Sequence, residues 1–183
     1  MNEITKKTIQ EMLMDRGFTD ITQFENNEDL TIAYNPLTRE KTYVHYITDP
    51  KVNVKNIKSI KTTIENVGTS SLVCLIVVYK FTITSFAKQF ISSDVSDLFV
   101  QLFSERELAY NVTKHEYVPK HTVLSLKTKK EILHEYKTSS KNFPHILSTD
   151  PICRYYGCIP GIMMRIDRPS ETCGMHTVYR IVT

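Results

Sequence analysis

Only five glycines occur in the 183 residues, and none falls into G-x4-G-K-[S/T] or G-x-G-x-x-G. A phosphate-cradling loop needs glycines where backbone N–H groups approach the anion, so nucleotide binding of that kind is excluded. Long hydrophobic runs are missing too. The longest, Leu72 to Tyr79, is far short of the roughly 20 apolar residues of a membrane-spanning helix, so no membrane partner is expected. The first stretch, MNEITKKTIQEMLMDRG, alternates charged with apolar residues and lacks an h-region, so no secretory signal is expected. Neither sign of charge dominates. The net charge of +3 is too small to announce nucleic acid. What is present is ordinary globular composition, 41% hydrophobic and 23% charged. The expectation is a soluble intracellular protein of one large or two small domains.

Charge distribution says slightly more. Residues 1–110 hold 12 Lys/Arg against 14 Asp/Glu, net −2, and residues 111–183 hold 11 against 6, net +5. A basic C-terminal part suits an acidic partner, although solvated helix faces give similar excesses. Cysteine is scarce as well: Cys74, Cys153, Cys158 and Cys173. Cys74, inside SLVCLIVVY, reads as a small buried hydrophobe. The other three with His176 give C-x4-C and C-x2-H, not the C-x2-C knuckle of a zinc site. The expectation is reduced thiols, no metal and no cofactor.

Along the chain, Ile4, Ile9, Met12 and Leu13 have near-helical spacing, and Gly17 is a natural stop. DLTIAY and KTYVHYI alternate and are joined by NPLTRE, which predicts a hairpin. NVKNIKSIKTTIENVG places Val54, Ile57, Ile60 or Lys61, and Ile64 on one face, with Asn53 as cap and Gly68 as stop. SLVCLIVVY is apolar on both faces, as a covered central strand would be. A short helix near Ser85–Ile91 and strands through DLFVQLF and LAYNV complete a first α/β unit. Then TKHEYVPKH reads as a proline-interrupted link. SLKTKKEILHEYKT follows as an amphipathic helix with Ile132, Leu133 and Tyr136 inward. In STDPICRYYG, Asp150 at the N-cap, Pro151 at N1 and Gly157 beyond the end predict a short capped helix. GIMMRID and MHTVYRIV alternate as two strands around a loop, RPSETCG. The fold class is α/β (α+β), with residues 1–110 and 111–183 as two domains, the second β-rich.

Three catalytic readings fail on spacing. Ser170, Glu171, Thr172 and His176 crowd together, but R-P-S-E-T offers no G-x-S-x-G elbow. Short polar residues in such a loop bond their own backbone. In HEYVPKH, His115 and His121 are six residues apart with Pro119 between them, whereas a zinc-binding helix needs His at i and i+4. A nuclease of the (D/E)-x-K kind would need two carboxylates aimed at one Mg²⁺. Asp29, Asp49 and Lys51 flank the hairpin, Pro50 interrupts them, and YVHY carries no carboxylate. No catalytic residue is assigned.

Longer words carry a resemblance. YNVTKHEYVPKH (110–121), DPICRYYG (150–157) and RPSETCGMHTVYRIV (168–182) resemble the signatures of the fifth shared subunit of eukaryotic RNA polymerases. The C-terminal part of that subunit is similar to the archaeal polymerase H subunit. DRGF (15–18), VKNIKSI (54–60) and ITSFAKQF (83–90) lie in the order its N-terminal part would have. The resemblance implies a non-catalytic subunit of DNA-dependent RNA polymerase. Its N-terminal jaw, a nuclease-like fold without an active site, would lie along downstream double-stranded DNA without sequence preference. Its C-terminal domain would dock on the largest subunit. Asp150, Pro151, Arg154, Tyr155, Arg168, Pro169, Ser170, Glu171, Thr172 and Arg180 are then candidates for the subunit interface, with Tyr179 and Ile181 alternating inward. Lys55, Lys58 and Lys61 are candidates to face DNA, or else a solvated helix face.

Two departures stand out. CIPG (158–161) replaces a basic turn, and the chain is trimmed between Ile21 and Leu30. That trimming, with abundant Ile, Lys and Asn, leaves open a cellular nuclear protein or a large DNA virus, with virion and host cytoplasm as compartments. An adaptor that binds transcription regulators outside the polymerase is the competing reading, and a Mg²⁺ nuclease comes last.

Overall fold

The computed structural model of the chain describes residues 2–24, 27–36, 40–66, 72–94, 99–170, 172 and 174–183. It divides into two compact units, Met1–Tyr110 and Asn111–Thr183. The architecture is mixed α and β, as the sequence predicts. No helix among the described residues is long and apolar enough to cross a membrane.

The first unit opens with helix α1 (Glu3–Asp15), capped by the Asn2 side chain on the Ile4 N–H. Its inward face is Thr5, Thr8, Ile9, Met12 and Leu13, while Ile4 is 56% exposed. The expected apolar face was therefore rotated. Two threonines take the inner positions because they are short, and the Thr8 hydroxyl is satisfied by donating to the Ile4 carbonyl at 3.1 Å. Gly17 ends the helix at φ 89°, where a Cβ would come within 3.2 Å of the Asn35 amide.

Strands β1 (Asp20–Phe24), β2 (Asn27–Tyr34) and β3 (Lys41–Ile47) run antiparallel. The expected β2–β3 hairpin is present, with Leu30 opposite His45 and Tyr34 opposite Lys41. The segment expected to be trimmed carries most of β1 and the start of β2. After β3 come a two-residue strand β4 (Lys51–Val52), helix α2 (Val54–Asn66) and strand β5 (Leu72–Tyr79). A second two-residue strand β6 (Thr82–Ile83), paired with β4, leads into helix α3 (Ser85–Asp94) and strand β7 (Phe99–Ser104).

The sheet order is β1-β2-β3-β5-β7, with β5 parallel to both neighbours. Parallel neighbours need crossover connections, and α2 and α3 supply them. Ile57 and Ile60 of α2 and Ala87 of α3 pack with Tyr43, Leu75 and Val77. The alternate residues Val44, Ile76 and Val78 are buried on the other face. Arg16, just past α1, reaches the Cys74 thiol on that side. The central strand is thus covered on both faces, as its apolar run predicts. Gly68, expected to stop α2, lies outside the described residues.

LAYNV is not a strand. It ends in turns and a 3-10 turn over Val112–Lys114, because the Asn111 side chain accepts from the Thr113 N–H and caps it. The second unit continues with strand β8 (Lys120–Val123), helix α4 (Leu126–Glu135) and strand β9 (His145–Ile146). Helix α5 (Pro151–Tyr156) and strands β10 (Met163–Ser170) and β11 (Gly174–Val182) complete it. The sheet order is β8-β10-β11-β9, antiparallel except for β9 on β11.

Two expectations need correction here. Lys120 and His121 belong to β8, not to a link, because they find ladder partners in Asp167 and Ile166. The RPSETCG loop is shorter than expected, since Arg168, Pro169 and Ser170 pair with His176, Met175 and Gly174. Proline is tolerated at Pro169 because this end of β10 runs beyond the reach of β8.

Candidate functional site

The second unit's sheet has two faces that alternate along β10 and β11. Met163 and Ile181 lie on one, packed with Ile132, Leu133, Phe143 and Tyr179. Tyr136, expected inward, is 56% exposed, though its ring meets Phe143 and Tyr179 edge to face. Beyond this cluster the same face turns polar. Asp167 Oδ1 accepts from Arg165 Nε at 2.9 Å and from the Thr177 hydroxyl at 2.7 Å. These bonds, Thr177 first and Arg165 second, hold the Asp167 carboxyl below its usual pKa.

Met164 and Val182 lie on the opposite face, covered by Ile152, Cys153 and Cys158. The covering element is α5, and its local sequence explains its placing. Asp150 Oδ1 accepts the Ile152 N–H at 2.8 Å, Pro151 occupies the first turn, and Gly157 closes the helix at φ 67°. Six residues make a helix only about 9 Å long, so it covers one end of the face. At the uncovered end lies a cleft of about 290 Å³, lined by Pro119, His121, Ile146, Asp150, Ile166, Arg168, Val178 and Arg180.

Three of the expected interface residues, Asp150, Arg168 and Arg180, therefore converge on one cleft. Arg180 Nη1 donates to the His145 carbonyl at 3.0 Å, which fixes its guanidinium over the β9 edge. The Arg168 side chain is exposed and makes no hydrogen bond or ion pair with a described residue. Pro151, Pro169 and Thr172 are exposed, Arg154 is half-buried, and Ser170 Oγ lies 3.2 Å from Thr172 Oγ1. Tyr155 is 3% exposed, and its hydroxyl accepts from Asn111 Nδ2 at 3.0 Å. It holds the cap of the 3-10 turn and offers almost no surface. Glu171 and Cys173 lie outside the described residues.

Sequence reasoning missed His121, Pro119, Ile146, Ile166 and Val178 at this cleft. The signal for Ile166 and Val178 was their alternation with Arg168 and Arg180. Pro119 and His121 were hidden by the link assignment. His121 Nδ1–H donates to the Pro119 carbonyl at 2.7 Å, which leaves Nε2 as the ring's second polar atom.

In the first unit, Lys55 and Lys58 are exposed and Lys61 is half-buried along α2. The Lys58 ammonium lies 5.2 Å from the centre of the Phe90 ring. Of the residues weighed for a nuclease, Asp49 accepts from the Asn56 side-chain amide and Lys51 is exposed on β4. Among the described residues no group of three His, Cys, Asp or Glu is placed to hold a metal ion. Cys153 and Cys158 instead meet the Met164 thioether at 3.6 and 4.0 Å. Burial pushes the Cys153 thiol up to about 12, with Cys158 and Asp150 adding to the shift. Cys74 is buried, as its apolar run predicts, and burial raises it to about 11 against the lowering effect of Arg16.

Comparison with known proteins places this unit in a family. The family model described as RNA polymerase Rpb5, C-terminal domain, matches residues 110–182. Relatives extend the likeness over nearly the whole chain. The RNA polymerases I, II and III subunit RPABC1 of Caenorhabditis elegans is 32% identical, covering 97% of this chain and 93% of that protein. The corresponding Dictyostelium discoideum subunit is 34% identical, covering 96% and 94%. An Arabidopsis thaliana protein, DNA-directed RNA polymerase subunit 5-like protein 1, is 33% identical over 96% of this chain and 92% of its own. A solved structure titled as the ATP-dependent Type ISP restriction-modification enzyme LlaBIII bound to DNA gives a TM-score of 0.43 at 15% identity, covering 79% of this chain and 10% of that one. The last likeness supports no conclusion. The identities over nearly full length do: the chain belongs to the Rpb5 family, the non-catalytic subunits of DNA-directed RNA polymerase.

Proposed function

We propose that this Rpb5-family subunit docks on the largest polymerase subunit through Asn111–Thr183, and that Met1–Tyr110 lies as a jaw along downstream duplex DNA. The observation that carries the reading is the coincidence of three things in one segment. The family match covers 110–182, the compact unit is Asn111–Thr183, and residues 111–183 hold the basic excess of +5. A small unit of this size has little stability to spare, so docking on a larger partner would also raise its melting temperature by mass action. The relatives are subunits of eukaryotic polymerases, which supports a nuclear setting.

The test is a pull-down of residues 1–110 and of 111–183 with the largest subunit, after each fragment has given a cooperative melt. Retention of 111–183 alone is expected. Retention of 1–110 with loss of 111–183 would reverse the division of labour.

The jaw should hold DNA weakly. Residues 1–110 are net −2, and phosphate binding scales with the cations that displace counterions. Lys55, Lys58 and Lys61 supply at most three such contacts. Fluorescence anisotropy with a random duplex at physiological salt should give a dissociation constant weaker than about 1 μM, in the range of non-specific binding. A submicromolar constant would make the jaw a clamp.

A further inference from the structure

Three sulfur atoms meet beneath α5. The Cys153 thiol lies 3.6 Å from the Met164 thioether, and the Cys158 thiol lies 4.0 Å from it. The local sequence explains the grouping. Gly157 turns left-handed at φ 67°, and the Cys158 N–H closes on the Cys153 carbonyl at 2.8 Å. Residues five apart thereby deliver both thiols to one side, while Met164 comes from β10 in the sheet that α5 covers. All three residues are buried, with Ile152 and Val182 packed around them.

Packing of soft side chains gives contacts of this length, and the same spacing is what a three-coordinate metal requires. Three donors in a plane around one ion, at metal–sulfur bonds of about 2.3 Å, stand about 4.0 Å from one another. The two separations on Met164 meet that requirement.

The donor set decides which ion fits. A structural zinc site takes four ligands and does not use a thioether. Among the described residues no three of His, Cys, Asp or Glu gather to hold a harder ion. Thiolate and thioether sulfur select Cu(I). The apolar surroundings favour a centre without net charge. One thiol gives its proton to water, and its thiolate cancels the charge of the ion. The other thiol and the thioether bind as neutral donors, and no electron is transferred.

We propose that Cys153, Cys158 and Met164 form a binding site for one Cu(I) ion, which ties α5 to β10. The site is independent of the docking reading and is tested apart from it. Cys158 lies beyond the last residue of α5 and its neighbour Ile159 is exposed, so opening of that helix end gives the ion a path. An ion held only by the folded chain adds its binding energy to folding.

The experiment uses the full chain carrying Cys173→Ser, reduced and kept free of oxygen. Cys173 lies outside the described residues, and its removal leaves no thiol there to compete. Cu(I) is titrated in against a chromophoric Cu(I) chelator. The chain should take one ion from the chelator and melt at a higher temperature, and X-ray absorption should show three sulfur neighbours. Zn(II) in place of Cu(I) should leave the melting temperature unchanged.

Met164→Leu keeps the side-chain volume and removes the sulfur. It should weaken Cu(I) binding about tenfold or more, since even the outer partners of a metal ion are worth that much. Cys158→Ala should abolish binding, and Cys74→Ala should leave it unchanged, with metal-free melts as the folding control. The assignment is overturned if no ion is retained against the chelator or if the absorption shows fewer than three sulfurs. It is equally overturned if Met164→Leu binds as tightly as its parent, or if Cys74→Ala abolishes binding. Should Met164→Leu fail to fold, the sulfur count in the parent chain decides.

Discussion

The two sheets of this protein are covered by different means, and the difference locates the surface that is left over. In the first unit β3, β5 and β7 are parallel, so each connection must cross a face of the sheet. The crossover helices α2 and α3 occupy one face, and α1 lies on the other beside Cys74. In the second unit β8, β10 and β11 are antiparallel and need no crossover. Helix α4 serves one face and the six residues of α5 serve part of the other. A sheet that is not obliged to cover itself can leave part of a face to a partner. Here that part carries Ile166, Arg168, Val178 and Arg180 of the cleft.

The largest expected effect tests whether the two units are energetically distinct. Met164 is fully buried under α5 and touches both Cys153 and Cys158. Met164→Ala should cost about 2–5 kcal/mol, the usual range for a buried methionine truncation. That is a large share of what a small domain possesses. Hydrogen exchange read by peptide should then show protection lost across α5, β10 and β11 and kept in β3 and β5. Equal loss in β5 would mean that the two units unfold as one, and the contrast drawn above would lose its energetic meaning.

How far the sequence disclosed this arrangement depends on what each residue does locally. The capped helix at Asp150–Gly157 was legible because every signal in it is a backbone requirement: a side-chain acceptor at the N-cap, proline in the first turn, a left-handed glycine at the end. The central strand was legible because a parallel strand buried on both faces is apolar throughout. Helix α1 was misread by one step because Thr5 and Thr8 look polar yet bury well once a hydroxyl bonds the preceding turn. Strand β8 was missed because Pro119 and two histidines suggested a link, while its pairing with β10 is a long-range fact. The cleft was half legible. Its arginines carried the family words, whereas Ile166, Val178 and His121 needed the register of three strands.

A smaller effect sharpens the contrast inside the first unit. Thr42 sits on β3 at 1% exposure, and its hydroxyl is buried without a hydrogen-bond partner among the described residues. A hydroxyl left so forfeits its hydration and regains nothing. Thr42→Val keeps the β-branched shape and removes the polar atom, so it should raise stability by about 1 kcal/mol. Urea unfolding followed by circular dichroism checks this, and a loss of 1 kcal/mol or more would show that the hydroxyl has a role. Neither DNA binding nor docking should change, since Thr42 lies inside a sheet covered on both faces.

The smallest expected effect separates the two arginine settings of the second unit. Arg165 and Arg168 are three residues apart on β10, so they project from opposite faces of the sheet. Arg165 is engaged with Asp167, and Arg168 is not engaged by any described residue. Because Asp167 is lowered in the folded chain, its ionised form stabilises the fold above the unfolded carboxyl value of about 3.9. That contribution is lost as pH falls through the lower, folded value. Arg165 is exposed and Asp167 only half-buried, so solvent screens the pair and the stability change itself is small. The titration is the sharper readout. A carbon-detected NMR titration should place Asp167 below the ordinary 3.8 in wild type. Arg165→Gln should bring it back toward that value only in part, because the Thr177 hydroxyl remains bonded. Arg168→Gln should leave the Asp167 titration where it was and weaken docking. If Arg165→Gln weakened docking as much as Arg168→Gln, partner binding would extend to both faces, and the distinction between a paired face and an open one would fail.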